Sequence, residues 1–342
     1  MALSLKPPLP PMEARSVDEI PSDNGWQYEP KWDGFRCLAF RDGEQIYLQS
    51  KAGQPLARYF PDVVAALSAL KARRFVLDGE LAIPVGGALS FDELQLRLHP
   101  AASRVQKLAA AHPASFIVFD LLAGTNGKSL LALPLRERRA QLEEFAAKFF
   151  PNEKQIRLSP ATAKLAQARK WFEKVGGDLD GIIAKRADCP YVSGERTAMV
   201  KVKQIRTVDC VVGGFRYGSG QRVIGSLLLG LYDEEGLLHH VGFTSAFKAE
   251  EKGALTKKFE ALKKVPGFTG NAPGGPSRWS TERSAEWEPV APKVVVEVTY
   301  DHFTGGRFRH GTKIVRWRKD KAPRQCTLDQ VAHREGKSLA LL

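Results

Sequence analysis

The sequence predicts an α+β domain followed by a small Greek-key β-barrel of the oligonucleotide-binding type. Up to about residue 205, short apolar strand-like runs alternate with segments whose apolar residues recur at helical spacing. Beyond that point the chain is rich in strands and glycine, and one helical segment interrupts it. The 342 residues and the ordinary globular composition fit two domains, which we place at 1–205 and 206–342. A β-sandwich is the alternative for the second domain.

Each element follows from a local signal. Residues 1–25 form a proline-rich extended arm, Pro61 marks a helix start, and Ser90 and Glu93 have the spacing of a capping box. In the first domain we expect strands within 26–50, 75–84, 115–122, 180–186 and 197–205, and helices over 61–74, 90–98, 134–150 and 161–177. In the second domain we expect strands within 207–218, 224–243, 293–311 and 312–321, a helix over 250–265 and a loop over 266–290.

The composition indicates the class of partner. The chain carries 51 Lys and Arg against 38 Asp and Glu, a formal net charge of +13, which favours a nucleic acid or an anionic membrane surface. Prolines interrupt the N-terminal segment and no run of 18 apolar residues exists, so we expect neither a secretory leader nor a membrane span. The four cysteines lie far apart without a CxxC pair, which argues against a zinc ribbon and fits a reducing cytoplasm.

The segment "EPKWDGFR" at 29–36 is the first candidate for chemistry. A lysine such as Lys31 acts as a covalent nucleophile when part of its population is neutral near pH 7, and Gly34 lets another chain segment approach closely. The same letters also fit an exposed β-turn with a solvated lysine. Asp33 either orients Lys31 or fixes the turn through backbone hydrogen bonds, and the pattern alone does not decide between these roles.

Six further motifs follow in order, and each alone fits a turn, a core strand or a solvated edge. Together, in this order and spacing, the set resembles the nucleotidyltransferase motifs of ATP-dependent DNA ligases, members of the covalent nucleotidyltransferase superfamily. The resemblance covers nearly the whole chain and points to the small bacterial ligases of the ligase C type. The motifs are "SKAG" (50–53), "LDGEL" (77–81), "VFDLL" (118–122), "DGIIAKR" (180–186), "VKVKQ" (200–204) and "RWRKDK" (316–321).

The resemblance implies an adenylyltransferase domain of ATP-grasp-like nucleotidyltransferase fold, followed by the oligonucleotide-binding barrel. It also implies a three-step reaction that uses ATP. Lys31 attacks the α-phosphate and releases pyrophosphate, the AMP passes to the 5′-phosphate at a nick in duplex DNA, and the 3′-hydroxyl displaces AMP. An RNA ligase or a GTP-dependent capping enzyme shares the lysine and most motifs. A non-catalytic nucleic-acid-binding protein of this fold is a third possibility.

The same resemblance gives five residues roles in nucleotide binding. Glu29 reads the adenine base, and Phe119 stacks on the face of the base, as aromatic side chains do on nucleobases. Arg36 contacts the ribose, and Glu80 contacts a ribose hydroxyl. Lys185, near the end of "DGIIAKR", belongs to the same nucleotide-binding set.

Two lysines are expected at the α-phosphate. Lys201 and Lys203 alternate with Val200 and Val202, so both lysines point to one face of a strand. The resemblance implies that these lysines bind the nucleotide and take part in catalysis. A solvated edge strand with inward valines explains the alternation equally well, and only the accompanying motifs favour the phosphate clamp.

Two positions depart from the family pattern. Asp180 stands where glutamate is usual, and with Glu80 it is the expected carboxylate ligand of Mg²⁺ or Mn²⁺, with a water-mediated contact because its side chain is shorter. Lys51 in "SKAG" is placed in the nucleotide-binding set and stands where an arginine usually contacts the 5′-phosphate of the nick. Lysine lacks the bidentate fork of arginine, so that contact is expected to be looser, and Arg58 is a candidate to share it.

The last motif completes the catalytic set. In the family, Arg318 and Lys321 orient the leaving pyrophosphate, which implies a domain closure about a hinge near 203–207. Residues 301–324 carry eight Lys and Arg against two Asp, which favours phosphate backbones and salt-dependent binding. A merely solvated basic face is the alternative.

These expectations define a monomeric nick-sealing DNA ligase of the bacterial cytoplasm, associated with the nucleoid. With two domains and no additional DNA-encircling domain, it is expected to hold nicked duplex DNA as a C-shaped clamp, weakly and in a salt-sensitive way. The resemblance further implies a role in DNA repair, with other repair proteins as recruiting partners.

Overall fold

The chain divides into two compact units. The first runs to Gln204 and also includes the C-terminal residues 338–342, and the second begins at Ile205. Residues 338–342, which the sequence assigned to the second domain, therefore belong to the first unit. The computed structural model describes residues 2–151, 154–174, 179–218, 220, 222–274, 286–332 and 338–342.

The first unit combines strands and helices, as the sequence predicts. Its strands are β1 (Arg15–Ser16), β2 (Trp26–Trp32), β3 (Phe35–Asp42), β4 (Gln45–Ser50), β5 (Arg74–Ala82), β6 (Pro84–Val85), β7 (Ala88–Leu89), β8 (Ser115–Ala123), β9 (Ile156–Leu158), β10 (Leu179–Arg186) and β11 (Met199–Lys203). Its helices are α1 (Pro61–Ala69), α2 (Phe91–Leu96), α3 (Ala102–Ala111), α4 (Leu135–Phe149) and α5 (Leu165–Lys174), with 3₁₀ turns at Ala57–Tyr59 and Ser338–Leu341.

The helix starts follow the local signals in the sequence. Pro61 occupies the first turn of α1, and the Ser90 hydroxyl accepts a hydrogen bond from the backbone N–H of Glu93 at 3.3 Å. Helix α1 ends at Ala69, earlier than predicted, because β5 already begins at Arg74. Helix α3 had no predicted counterpart, and the glycines expected to close α5 lie outside the described residues.

Two larger sheets and the two-stranded sheet β6-β7 lie in the described part of the first unit. One of the larger sheets has the strand order β4-β3-β5-β8-β9 and the other has the order β1-β11-β10-β2. The chain passes from one sheet to the other between β2 and β3, at Gly34. A Cβ atom there would collide with the carbonyl oxygen of Leu81, so the close approach expected at this glycine is present. The predicted nucleotide-binding residues are therefore divided between two sheets that a tight connection joins. Arg36, Glu80 and Phe119 lie on the first sheet, and Glu29, Lys185 and Lys201 lie on the second.

The second unit is a barrel. Its strands are β12 (Arg206–Tyr217), β13 (Ile224–Tyr232), β14 (Leu238–Thr244), β15 (Glu288–Pro289), β16 (Val295–Tyr300), β17 (Phe303–Thr304), β18 (Arg307–Phe308) and β19 (Lys313–Trp317), with helix α6 (Lys252–Glu260). The main path is β14-β13-β12-β16-β19, and a parallel bridge between Thr244 and Thr312 links its two ends. This closure, with α6 between the third and fourth long strands, distinguishes a barrel from a sandwich. The predicted fold class is confirmed.

Candidate active site

A cavity of about 190 Å³ lies in the first unit, where side chains of both sheets meet. Sixteen residues line it, and half of them carry predicted functions. The sequence motifs therefore converge on one concave site, although they are spread over more than 170 positions. The eight predicted residues that line the cavity are Glu29, Lys31, Arg36, Lys51, Glu80, Phe119, Lys185 and Lys201.

Strand β2 directs Glu29 and Lys31 to the same face. Successive side chains of a strand point to opposite faces, so these two share a face while Tyr28 and Trp32 point away into apolar clusters. The carboxylate of Glu29 accepts a hydrogen bond from Gln27 Nε2 at 2.7 Å and pairs with Lys185 Nζ at 2.8 Å. Both partners of this second pair are almost fully buried, which holds the Glu29 carboxylate in place.

A β-bulge brings Asp180 to Lys31. Strands β2 and β10 pair Trp32 with Leu179 and Lys31 with Gly181, which leaves Asp180 as the extra residue between them. Regular alternation would send its side chain to the opposite face from Gly181. In the bulge, the Asp180 carboxylate instead forms an ion pair with the Lys31 amine, and Lys203 Nζ lies 3.8 Å from the same oxygen.

Phe119 lines the cavity, and two cations lie close to its ring. The Arg36 guanidinium carbon lies 4.6 Å from the ring centroid, and Lys185 Nζ lies 4.5 Å from it. Both distances are in the range of cation–π attraction. The ring thus lines the cavity on β8, and its surroundings are positively charged.

Arg36 is fixed by a buried network that the sequence did not reveal. Its Nε and Nη2 donate to the two oxygens of Asp78 at 2.5 and 2.6 Å, and the Tyr191 hydroxyl donates to Asp78 at 2.7 Å. Burial acts to lower the pKa of Arg36, but the charge and hydrogen bonds of Asp78 outweigh it and raise that pKa. Burial, followed by the charge of Asp78, raises the pKa of the Tyr191 hydroxyl. Arg36 is therefore a permanently charged, oriented donor.

Glu80 is the carboxyl group with the largest perturbation in the cavity. Burial raises its pKa to about 8, against the opposing charges of Lys31 and Arg36. Lys201 is perturbed in the opposite sense, because burial and then the positive charges of Lys31 and Lys203 lower its pKa. Groups with a raised and a lowered pKa in one cavity are typical of functional sites.

At the mouth of the cavity, two cations share one carboxylate oxygen. Glu13 Oε2 lies 3.1 Å from Lys51 Nζ and 2.8 Å from Arg196 Nη2. The hydrogen bond from Lys51 is the main cause that lowers the pKa of Glu13. Arg58, the candidate to assist Lys51, does not line the cavity; its Nη2 donates to the carbonyl of Pro100 at 2.8 Å.

The donor chemistry of the site fits a hard divalent cation. Asp180 and Glu80 offer carboxylate oxygens, the ligands that Mg²⁺ and Mn²⁺ prefer. Among the described residues, no group of three or more His, Cys, Asp or Glu side chains is arranged to hold a metal ion. A cation at this site therefore needs further ligands, such as phosphate oxygens or water.

The predicted residues of the last motif lie in the second unit. Arg318 Nη1 donates to both oxygens of Asp209 at 3.0 Å, and Lys321 Nζ lies 2.8 Å from Asp209 Oδ2. Arg318 Nη2 also donates to Asp320 at 2.8 Å, and this hydrogen bond is the first cause that lowers the pKa of Asp320 to about 2. One carboxylate, on β12, thus holds both motif cations.

The residues that sequence reasoning missed are the carboxylates that hold the predicted cations. Asp78 lies inside the quoted motif "LDGEL", but only Glu80 was given a role there. Asp209, in "TVDC", and Glu13 had no signal beyond being acidic residues near apolar strands. A search for one acidic partner per predicted cation would have directed attention to them, although it would not have identified the pairs.

Two family models match the chain. The model described as "ATP dependent DNA ligase domain" matches residues 11–203, and the one described as "ATP dependent DNA ligase C terminal region" matches residues 220–321. Since the first match alone covers more than half of the chain, the chain belongs to the ATP-dependent DNA ligase family. The resemblance inferred from the motifs is confirmed at this level.

Individual relatives define the type more narrowly. DNA ligase C2 of Mycolicibacterium smegmatis is 44% identical, covering 97% of this chain and 96% of its own, and DNA ligase C of Mycobacterium tuberculosis is 42% identical with the same coverage. A solved structure from a structure–function study of Lig E DNA ligases covers 90% of this chain and 100% of its own, with a TM-score of 0.55 at 17% identity, which shows the shared fold alone. Within the described residues, no helix combines the length and apolar character that crossing a membrane requires.

Proposed function

We propose that this protein seals nicks in duplex DNA with ATP through an AMP group carried on Lys31. The observation that carries the proposal is the placement of the Lys31 amine against Asp180, in a cavity lined by groups suited to an adenine base, a ribose and a phosphate. The family membership supplies the use of ATP and the ligase activity.

The first step transfers AMP to the enzyme. The Lys31 ammonium group gives a proton to water, leaves Asp180 and attacks the α-phosphorus as an amine; the N–P bond forms as the bond to pyrophosphate breaks. Lys201 and Lys203 lie on the same face of β11 and hold the α-phosphate by charge. Positioning and charge neutralisation account for most of the catalysis in such a displacement.

Four side chains bind the nucleoside in this proposal. Phe119 stacks on adenine, Glu29, held by Lys185, reads the exocyclic amine, and Arg36 donates to the ribose. Glu80 contacts a ribose hydroxyl.

A Mg²⁺ or Mn²⁺ ion, when bound, supplies charge neutralisation to the phosphates, and Asp180 is the residue we assign to hold it, with Glu80 as the second carboxylate. The pairing of Asp180 with two ammonium groups supports this assignment, because the same oxygen already stabilises positive charge. Arg318 and Lys321 act on the leaving pyrophosphate, and Lys51 contacts the 5′-phosphate of the nick.

The remaining steps act on DNA. AMP passes from Lys31 to the 5′-phosphate, and the 3′-hydroxyl then attacks that phosphate, forms the phosphodiester and releases AMP. We extend the proposal to a monomeric enzyme that works in DNA repair in the cytoplasm, at the nucleoid, with repair proteins as partners. Its hinge near residues 203–207 and the boundary between its two domains at residues 205 and 206 belong to the same proposal, with residues 338–342 in the first unit.

A nick-sealing assay tests this function. Duplex DNA with one nick and a labelled 5′-phosphate is incubated with the protein, Mg²⁺ and either ATP or GTP. We expect the label to enter the longer strand with ATP only. Sealing of a nicked RNA strand but not of DNA would favour an RNA ligase, and use of GTP in place of ATP would favour a capping-type enzyme and contradict the role of Glu29.

A further inference from the structure

The C-terminal residues of the chain pack on the first unit next to its nucleotide cavity. After the barrel, residues 338–342 return to the first unit, where Ser338–Leu341 forms a 3₁₀ turn that contacts strand β7. Leu341 and Leu342 are half-buried and pack against a small apolar cluster. The proposed chemistry gives this segment no task.

That small cluster joins the two sheets that form the cavity. Trp32 and Leu179 come from β2 and β10 of one sheet, and Ala82 and Ile117 come from β5 and β8 of the other. All four are buried, and the C-terminal leucines complete the cluster together with Leu89 on β7. The spacing of the two sheets at this point therefore depends on only a few apolar side chains.

Three of the four buried residues of the cluster are adjacent to a residue with a proposed function. Trp32 follows Lys31, and Leu179 precedes Asp180, at the β-bulge where those strands pair. On the other sheet, Ile117 is the direct strand partner of Glu80. A shift of the cluster would move the Lys31 amine relative to the wall that carries Glu80 and Phe119.

We propose that Leu341 and Leu342 are positioning residues for the transfer of AMP to Lys31. Their side chains fill the apolar space between the two sheets and thereby fix the distance between the Lys31 amine and the nucleotide. Leu341 also packs against the apolar cluster under β2 and β10, which contains Tyr28 and Ile182, so it braces the strand of the nucleophile on two sides. The inference rests on the proposed role of Lys31.

The test compares Leu341→Ala/Leu342→Ala with Leu96→Ala, an exposed leucine of the same unit that is 42% accessible. Single-turnover AMP transfer is measured at saturating ATP, with the apparent affinity for ATP determined separately. We expect the rate of the C-terminal variant to fall about tenfold or more, with the ATP affinity changed less than threefold, because small displacements of reacting groups mainly affect the chemical step. Leu341→Met/Leu342→Met, which fills the apolar space between the sheets again, should keep most of the wild-type rate.

Two controls separate this inference from the proposed function. Absence of AMP on the wild-type protein, or its persistence in Lys31→Ala, would overturn the role of Lys31. A normal rate in the C-terminal variant, beside a normal wild-type rate, would overturn the positioning role alone. Amide hydrogen exchange reports on the packing between the two sheets and does not depend on AMP transfer. We expect faster exchange at residues 31–32 and 179–181 in the C-terminal alanine variant, and unchanged exchange there would contradict the proposal.

Discussion

The two units hold their functional cations in different ways. In the first unit Lys31 and Arg36 have different carboxylate partners, Asp180 and Asp78, and Asp180 also lies 3.8 Å from Lys203 Nζ. In the second unit both motif cations, Arg318 and Lys321, pair with the same carboxylate, Asp209, and Arg318 has a further partner in Asp320. Loss of Asp78 should therefore affect Arg36 and its neighbours, whereas loss of Asp209 should affect both motif cations at once.

The largest expected effect is on the stability of the first unit. Asp78→Ala leaves the Arg36 cation and the Tyr191 hydroxyl without their common acceptor in a buried place, which should lower the free energy of unfolding by about 3 kcal/mol or more. Urea unfolding measures it. Asp23→Ala, which removes the mostly exposed partner of Arg186, is the matched control and should change little. Equal losses in both variants would contradict the buried network.

The next effect should appear in the second unit. Asp209→Ala removes the carboxylate that Arg318 and Lys321 share and leaves Arg318 with Asp320 alone, so AMP transfer to the enzyme should fall on the order of 100-fold, as expected when charged groups lose their positions. Sealing of a nick that already carries AMP should fall much less. Asp233→Ala, which removes the partner of His239 in the same unit, serves as control. A drop of equal size in both reactions would show that Asp209 acts through the fold of the barrel.

A smaller effect, on ATP binding, is expected from a change at Phe119, which lines the cavity. Phe119→Leu keeps an apolar side chain but removes the ring, so binding of ATP should weaken by about 1–3 kcal/mol, the usual contribution of base stacking. The affinity for ATP is measured by titration calorimetry in proteins that also carry Lys31→Ala, so that ATP is bound but not consumed. Phe243→Leu, at an exposed phenylalanine of the barrel, should leave ATP affinity unchanged. Unchanged affinity in Phe119→Leu would remove the ring from the nucleotide site.

A further effect concerns the pH dependence of stability, and its size grows with the pH range that is compared. The Glu80 carboxyl has a pKa of about 8 in the folded protein against an ordinary value of 4.5, so between these values the folded state binds more protons than the unfolded state. Stability from this group is thus complete below about pH 4.5 and is lost as the pH rises towards 8, by at most about 1.4 kcal/mol per pH unit. Unfolding of wild type and Glu80→Gln between pH 5 and 8 measures it. As the pH rises from 5 to 8, wild type should lose stability relative to Glu80→Gln, because glutamine does not titrate. A difference in stability between the two proteins that stays constant over this range would contradict the raised pKa.

The sequence predicted the fold class and most of the longer strands and helices, because periodicity and turn residues are local properties. The resemblance of the motifs to a family supplied eight of the sixteen residues that line the cavity. The sequence did not predict the bulge at Asp180, since the extra residue is visible only when β2 and β10 are aligned. It also missed Asp78 and Asp209 as partners, because those pairings connect strands far apart in the chain. The return of residues 338–342 to the first unit depends on apolar contacts between distant segments, which no local pattern encodes.

The role of Lys31 as the residue that carries AMP is tested most directly by mass. The purified protein, freed of any bound nucleotide, is incubated with ATP and Mg²⁺, denatured and measured intact, and the modified peptide is then sequenced by fragmentation. We predict one added adenylyl group on Lys31 and none in Lys31→Ala, while Lys6→Ala, at an exposed lysine of the N-terminal arm, is modified like wild type. An adenylyl group that remains on the Lys31→Ala protein, or that maps to another residue, would contradict the assignment.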